Sequence, residues 1–347
     1  MEIAIIKIFF LTVLAFVLAV SLTPLLTHFL YKYRLGKRIR TEQSAPIMSK
    51  LHQAKSGTPT MGGILIWFTV IVLALVINVL WHLTGAQTFF DLNFLTRSET
   101  WLPLGALGVS AFIGLFDDFL NIYGIGSKGG GLKIRHRLIA YSLIAIAGAY
   151  WFYFKLGWDI MRIPFFGDFN IGIWYIPIFI FVIVATAFSV NETDGLDGLA
   201  GGSLLAAFSA YAVIAFVQGK FDLAAFCGVI VGSLLSFLWF NINPARFFMG
   251  DTGAMSLGVT LGIMAMLTNT VFLLPIIGFL FMLETLSVIL QMSSKKIRSK
   301  KIFLSTPIHH HFEAIGWPEP KIVMRFWIIS GVVAVIGLIV FLLDYLY

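Results

Sequence analysis

The chain has 347 residues, 59% of them hydrophobic and 12% charged, with a formal net charge of +7 and a mean hydropathy of +0.92. A soluble domain is about one quarter charged, so this composition predicts an integral membrane protein. The apolar stretches are continuous rather than alternating, which excludes a β-barrel. The basic residues fall in loops between spans, which gives no support to nucleic-acid binding.

In chain order, apolar windows predict an all-α polytopic protein of about ten transmembrane helices, at 4–30, 62–83, 102–120, 138–154, 173–189, 199–217, 223–240, 255–270, 271–292 and 323–346. The first opens with Glu2 and lacks a small-residue cleavage site, so it reads as a retained span. The eighth and ninth must be divided. As one helix, residues 257–292 would run about 54 Å, against a hydrocarbon core of about 30 Å. A turn near Thr268-Asn269-Thr270 separates them, and Pro275 is expected to bend the ninth. The single cysteine, Cys227, lies in an apolar run and excludes an internal disulfide.

Lysine and arginine fix the expected topology. Lys32, Arg34, Lys37, Arg38, Arg40, Lys50 and Lys55 fall in 31–61, and Lys128, Lys133, Arg135 and Arg137 in 121–137. Arg246 lies in 241–254, and seven more basic residues lie in 293–325. These are 19 of the 24, all on one side of the ten-span arrangement, leaving Lys7, Arg97, Lys155, Arg162 and Lys220 on the other. The positive-inside bias puts the richer side in the cytoplasm and both termini on the outer, periplasmic side. The chain is then a single transmembrane domain with cytoplasmic loops at about 31–61, 121–137, 190–198, 241–254 and 293–322.

Five aspartates gather on that cytoplasmic side, although the charge count did not use them: Asp117, Asp118, Asp194, Asp197 and Asp251. Carboxylates at the edge of hydrocarbon are costly and call for partners. Asp117 and Asp118 close the third span. Helix neighbours differ by about 100° in direction, so divided roles are expected, one toward a metal and one toward a second reactant; a solvated helix end is the plainer reading. Asn191, Asp194 and Asp197 are spaced i, i+3, i+6 and would line one helical stripe. That row suits a cation or the hydroxyl and N–H groups of a nucleoside; acids stabilising a helix N-terminus are the alternative.

Asp251, between Gly250 and Gly253, begins the eighth span. Magnesium takes one or two carboxylates and keeps sites for phosphate oxygens, so Asp251 with an earlier aspartate would serve it. Phe247 and Phe248 could stack on a base or simply anchor at the interface. In Pro307-Ile308-His309-His310-His311-Phe312-Glu313 no cysteine is near, so structural zinc is a weak reading. The histidines could instead bind phosphate or position an attacking group. Gly-rich runs beside Lys55 and beside Lys133 and Arg135 could hold phosphate, but neither is a Walker loop. Together these features describe phosphoryl transfer at a membrane interface, with a divalent metal and basic groups neutralising a diphosphate.

The ordered runs Lys55–Gly63, Asp117-Asp118, Asn191-x-x-Asp194-Gly195-x-Asp197-Gly198, Phe248-Met249-Gly250-Asp251, Pro-x-His309-His310-His311-Phe-Glu and Gly316–Pro320 resemble the bacterial phospho-N-acetylmuramoyl-pentapeptide transferase family. That family lies within the polyprenyl-phosphate N-acetylhexosamine-1-phosphate transferases. The resemblance spans essentially the whole chain, and the histidine motif separates this branch from relatives using UDP-N-acetylglucosamine. It implies a multi-pass protein of the bacterial cytoplasmic (inner) membrane with its active site facing the cytoplasm. The implied reaction joins UDP-N-acetylmuramoyl-pentapeptide and undecaprenyl phosphate to give lipid I and UMP with Mg2+, serving cell wall biogenesis, cell shape and cell division.

By matching positions, Asp251 is the expected magnesium ligand, Asp118 a support for metal or diphosphate, and Asp117 the group that deprotonates or orients the lipid phosphate. Asn191, Asp194 and Asp197 fall on the nucleotide side with Phe248 near the uracil. His310 and His311 would meet substrate phosphate or sugar, with His309 beside them. Lys55, Lys133 and Arg135 are candidates to neutralise phosphate. Direct attack and an aspartyl-phosphate intermediate are both compatible with these residues, and some family members are homodimers. The acceptor, a membrane lipid, requires a groove opening laterally near the cytoplasmic leaflet. Glu284 would either border it or hydrogen-bond a neighbouring helix. A transferase for UDP-N-acetylglucosamine is the competing reading within this chemistry. A cation transporter is the competing reading outside it, disfavoured by acids at one interface and by the absence of inverted repeats.

Overall fold

The structure, a computed structural model, describes residues 1–36, 55, 57–95, 98–126 and 130–346. Lys37, Arg38, Arg40, Lys50, Ser56, Arg97, Lys128 and Gly129, used in the readings above, lie outside the described residues. The helices are α1 (Glu2–Lys32), α2 (Ile64–Thr84), the short α3 (Gln87–Leu92), α4 (Ser98–Tyr123), α5 (Ile134–Tyr150), α6 (Tyr175–Thr193), α7 (Leu199–Val217) and α8 (Phe221–Asn241). They continue with α9 (Gly250–Leu267), the short α10 (Leu274–Ile277), α11 (Phe279–Arg298), α12 (Ile308–Ala314) and α13 (Glu319–Leu346). Among the described residues nine helices are long and apolar enough to cross a membrane, and a bent pair makes a tenth.

That bent pair corrects the expected ninth span. Its two pieces, Val271–Ile277 and Phe279–Arg298, meet at 82°. The break falls at Gly278 rather than at Pro275, which sits in the first turn of α10, where its missing N–H costs nothing. α11 also runs to Arg298, beyond the expected boundary at 292, carrying Lys295, Lys296 and Arg298 in its last turn. There they face the negative end of the helix dipole. A second departure from the all-α expectation is an antiparallel hairpin, β1 (Ile160–Ile163) with β2 (Gly167–Asn170), registered Ile160 to Asn170 and Ile163 to Gly167.

α9 is the axis of the bundle, with every residue from Gly250 to Leu267 buried. Its main neighbours are α4 and α6. Close packing in lipid comes from small residues that let backbones approach, since lipid tails are as apolar as leucine. Gly258 shows this: a Cβ there would stand 2.8 Å from Ala187 Cα on α6. Gly114 on α4 lies against the Asp251 carbonyl with no space for a side chain.

The two ends of the bundle differ in kind. One end holds structural ties: Lys7 Nζ meets Asp222 at 2.8 Å and the Asn93 carbonyl at 2.7 Å. Arg162 Nε meets Asp344 at 2.6 Å. Lys220 Nζ and Gln218 Nε2 donate to the Leu267 and Thr268 carbonyls, satisfying the open C-terminus of α9. The opposite end carries all three aspartate-bearing runs.

Candidate active site

The C-terminal end of α4, the N-terminal ends of α5 and α9, and the C-terminal end of α6 meet here. Asp118, 1% exposed, accepts the Asp251 N–H at 3.1 Å and the Thr252 N–H at 3.0 Å. Thr60 Oγ1 stands 3.4 Å from the same carboxylate. Asp118 is thus a cap supplied in trans to α9: it satisfies donors that no residue of α9 can reach and places a negative charge at the positive end of the dipole. The contacts described for Asp118 are thus with the α9 backbone and Thr60. Gly250 makes this approach possible. Its φ is 75°, and a Cβ there would stand 2.6 Å from Asp118 Oδ2 and 2.7 Å from Thr60 Oγ1.

Asp117 points the other way, as the helical offset requires. Its Oδ1 accepts the Leu132 N–H at 2.5 Å, and its Oδ2 lies 2.6 Å from Arg137 Nε, outside hydrogen-bond alignment. Arg137 then forks: one terminal nitrogen donates to Asn191 Oδ1 at 2.9 Å and the other to Asp251 Oδ2 at 3.1 Å. Asn191 Nδ2 closes the ring on Asp251 Oδ1 at 2.6 Å. Two carboxylates, an amide and one guanidinium from four helices form a central cluster, with Asp117 fully buried and Asp251 7% exposed.

A second cluster lies to its flank. Lys55 Nζ contacts Asp197 Oδ1 at 2.7 Å and Glu319 Oε1 at 2.5 Å. Glu319 Oε1 also accepts the Asp197 N–H at 2.7 Å. Asn243 Nδ2 reaches Asp197 Oδ2 at 2.9 Å and Glu319 Oε2 at 3.3 Å. The Lys55 ammonium is 5.8 Å from the centre of the Phe248 ring, within cation–π range. The Lys55–Gly63 run is itself laced to the Phe248 run: Phe248 N–H donates to Pro59 O, Gly62 N–H to Phe248 O, and Gly63 N–H to Met249 O, at 2.7–2.8 Å.

The expected stripe of Asn191, Asp194 and Asp197 does not survive, because α6 ends at Thr193. Asn191 joins the central cluster and Asp197 the flanking one, while Asp194 caps α6 in a non-helical conformation (φ −77°, ψ 63°). The two phenylalanines divide as well. Phe247 is fully buried against Phe237 and Phe240, whereas Phe248 is half-buried beside Lys55.

Lys133 and Arg135 are exposed, with Arg135 Nε on its neighbour His136 at 3.2 Å. Neither joins a cluster through the contacts described here; Arg137 does. A signal for it was present. The buried face of α5 runs Tyr141, Ala145, Gly148 and Ala149, and one step of four back from Tyr141 lands on Arg137. Glu319 and Asn243 were likewise missed; nothing in spacing alone pairs either with Lys55.

The three histidines diverge. His309 is fully buried on α12. His310 Nδ1 pairs with Glu313 Oε2 at 2.6 Å. His311 Nδ1 accepts the Leu304 N–H at 3.3 Å.

Among the described residues no three His, Cys, Asp or Glu side chains form a ready-made cation cage. A magnesium ion needs only one or two carboxylates and keeps several waters. Asp117 and Asp251, converging on one guanidinium beside the Asn191 amide, are hard oxygen donors of that type.

Comparisons with known proteins identify the family. Residues 100–269 match Glycosyl transferase family 4, and residues 55–66 match a phospho-N-acetylmuramoyl-pentapeptide-transferase signature. A phospho-N-acetylmuramoyl-pentapeptide-transferase of Geobacillus sp. (strain WCH70) is 40% identical over 328 residues, covering 94% of this chain and 95% of the relative. The protein of that name from Chloroflexus aggregans is 37% identical over 337 residues, covering 93% and 86%. That from Bacillus cereus (strain AH187) is 37% identical over 332 residues, covering 93% and 94%. A multi-pass helical bundle, an acidic and basic site at one end of it, and similarity along nearly the whole chain lead to one conclusion: the chain belongs to the phospho-N-acetylmuramoyl-pentapeptide-transferase family, phosphosugar transferases of peptidoglycan synthesis.

Proposed function

We propose that the chain transfers phospho-N-acetylmuramoyl-pentapeptide from its UDP-linked donor to undecaprenyl phosphate, giving lipid I and UMP, at the cytoplasmic face of the bacterial inner membrane. The observation that carries this reading is the Arg137 fork holding Asp117 and Asp251 together at one end of the bundle. An oxygen of the acceptor phosphate attacks the sugar-bearing phosphorus, the bond from that phosphorus to the bridging oxygen breaks, and UMP departs with the oxygen. Asp117 orients the acceptor phosphate or takes its proton. Arg137 neutralises charge gathering on the diphosphate, which two-point hydrogen bonding favours. Asp251, with Asp117, would hold a magnesium ion, which would supply Lewis-acid stabilisation of the charge that develops on the diphosphate. Asp118 keeps the Asp251 backbone in place. Lys55, Asp197 and Phe248 receive the nucleoside, the ring as a stacking face.

The test is UMP release in detergent with undecaprenyl phosphate and one donor at a time. Turnover with UDP-N-acetylmuramoyl-pentapeptide and none with UDP-N-acetylglucosamine supports the reading; the reverse overturns it. Orientation is tested with single cysteines in a Cys227→Ala background. An impermeant maleimide should reach Lys133→Cys from the cytoplasmic side and Phe166→Cys, on the hairpin, from the periplasmic side. The opposite pattern inverts the topology.

A further inference from the structure

The reaction proposed above assigns no task to Glu284, yet this carboxylate is fully buried in α11, six residues beyond the Gly278 break. It turns away from lipid. Its Oε2 lies 3.0 Å from His309 Nδ1 and accepts the His309 N–H at 3.4 Å, while Oε1 has no hydrogen-bond partner. His309 is buried to the same degree, and its Nε2 also lacks a hydrogen-bond partner. That nitrogen is pressed against Gly195, where a Cβ would overlap the imidazole. The next ring along α12, that of His310, stands 4.0 Å from His309, centre to centre. α11 is tied in turn to α6 by Thr285 Oγ1 donating to Ser189 Oγ at 2.8 Å.

A buried ion pair adds little net stability over apolar packing, but it breaks at a high cost and tolerates few geometries. Its use is therefore to fix a distance. Gly195 lies between Asp194 and Asp197, in the loop that leads from the central cluster to the flanking one. The geometry points to Glu284 and His309 as a positioning pair: α11 grips α12 through them, and His309 serves as the spacer that sets the gap between the Asp194–Gly198 loop and the helix bearing His310. This role rests on the transferase reading given above, although the contact itself does not.

Two readouts test it. In the UMP-release assay Glu284→Gln, which keeps volume and removes charge, should lower kcat about 10- to 100-fold, the scale of a misplacement near 1 Å. The donor KM should stay within about threefold. Gly195→Ala pushes on the same ring from the other side and should produce the same split. In a His309→Ala background, where the methyl group has room, Gly195→Ala should cause no further loss of kcat. Thermal unfolding gives the activity-independent readout: Gly195→Ala should lower the midpoint in the wild-type background and not in His309→Ala. A Glu284→Gln enzyme with wild-type kcat overturns the positioning role. Equal effects of Gly195→Ala in both backgrounds, in melting or in kcat, overturn the spacer contact. Wild-type protein without UMP release would instead defeat the transferase reading, and the melting comparison would still decide the contact. If Glu284→Gln does not fold, the Gly195→Ala and His309→Ala pair decides alone.

Discussion

The central and flanking clusters are built from the same parts: two carboxylates, one cation and one asparagine. In the centre these are Asp117, Asp251, Arg137 and Asn191, and at the flank Asp197, Glu319, Lys55 and Asn243. They differ in what holds them. The central groups project from the ends of four membrane helices, and Asp118 fastens one of those ends to another through two backbone amides. The flanking groups come mostly from connecting segments, with Glu319 at the first turn of α13. The cation differs too. Arginine presents a planar fork that bridges two carboxylates at once, whereas lysine is a point charge that any nearby acceptor can share. A rigid centre with a forked donor suits in-line transfer between phosphates. A looser flank with a point charge beside an aromatic ring suits recognition of a nucleoside.

Substitutions that break this contrast can be ranked. Asp251→Ala should have the largest effect, lowering UMP release by about 10³-fold or more at saturating magnesium; the thermal midpoint should also fall, because Arg137 and Asn191 lose a buried partner. Unchanged turnover would remove Asp251 from the chemistry. Arg137→Lys comes next, at about 10²-fold in kcat, since an ammonium cannot bridge Asp117 and Asp251 as a guanidinium does. A fully active Arg137→Lys enzyme would erase the distinction between the two clusters. Glu319→Gln should act at the flank, raising the donor KM by about 10-fold with kcat nearly intact, as expected for ground-state binding. A fall in kcat at constant KM would move Glu319 into the centre.

The smallest effect is a pH dependence of stability. Burial disfavours charge on His309, but Glu284 beside it, with Glu313 and Glu192 at longer range, more than offsets this and raises its pKa above the ordinary imidazole value. Folding therefore takes up a proton between the unfolded value of about 6.5 and the higher folded one. The stabilisation is complete below about pH 6.5 and is lost as pH rises through the folded value. The wild-type melting midpoint should fall across that window and a His309→Gln midpoint should fall less; His310, the other titratable ring in contact, remains in both. Parallel pH curves would exclude His309 as the source.

Much of the architecture was legible because bilayer spans announce themselves as long apolar runs. The bent span was legible only in part. Length required a division near 268–270, but whether the chain breaks at a proline or three residues later depends on packing around Gly278. The β1–β2 hairpin was hidden because four-residue strands carry almost no periodic signal. In the site, the aspartates stood out as carboxylates at the edge of hydrocarbon, and Asp117 and Asp251 do converge. Roles were harder to read. Asp118 differs from Asp117 only by a rotation along α4, and the partner each meets is set by α9, 133 residues away in sequence. Arg137 was masked by the more conspicuous glycine-flanked Lys133 and Arg135. The split between Asn191 and Asp197 depended on where α6 stops.

The placement of α9 has one further consequence. Of the window that marks it as a span, 100% is buried, against 17% for α1 and 28% for α13. Changes in bilayer thickness or acyl composition press on the outer staves, which can tilt to absorb mismatch, whereas the stave carrying Asp251 is sheathed by protein along its whole length. The bilayer can thus govern how an acceptor arrives while having little mechanical purchase on the atoms that receive it.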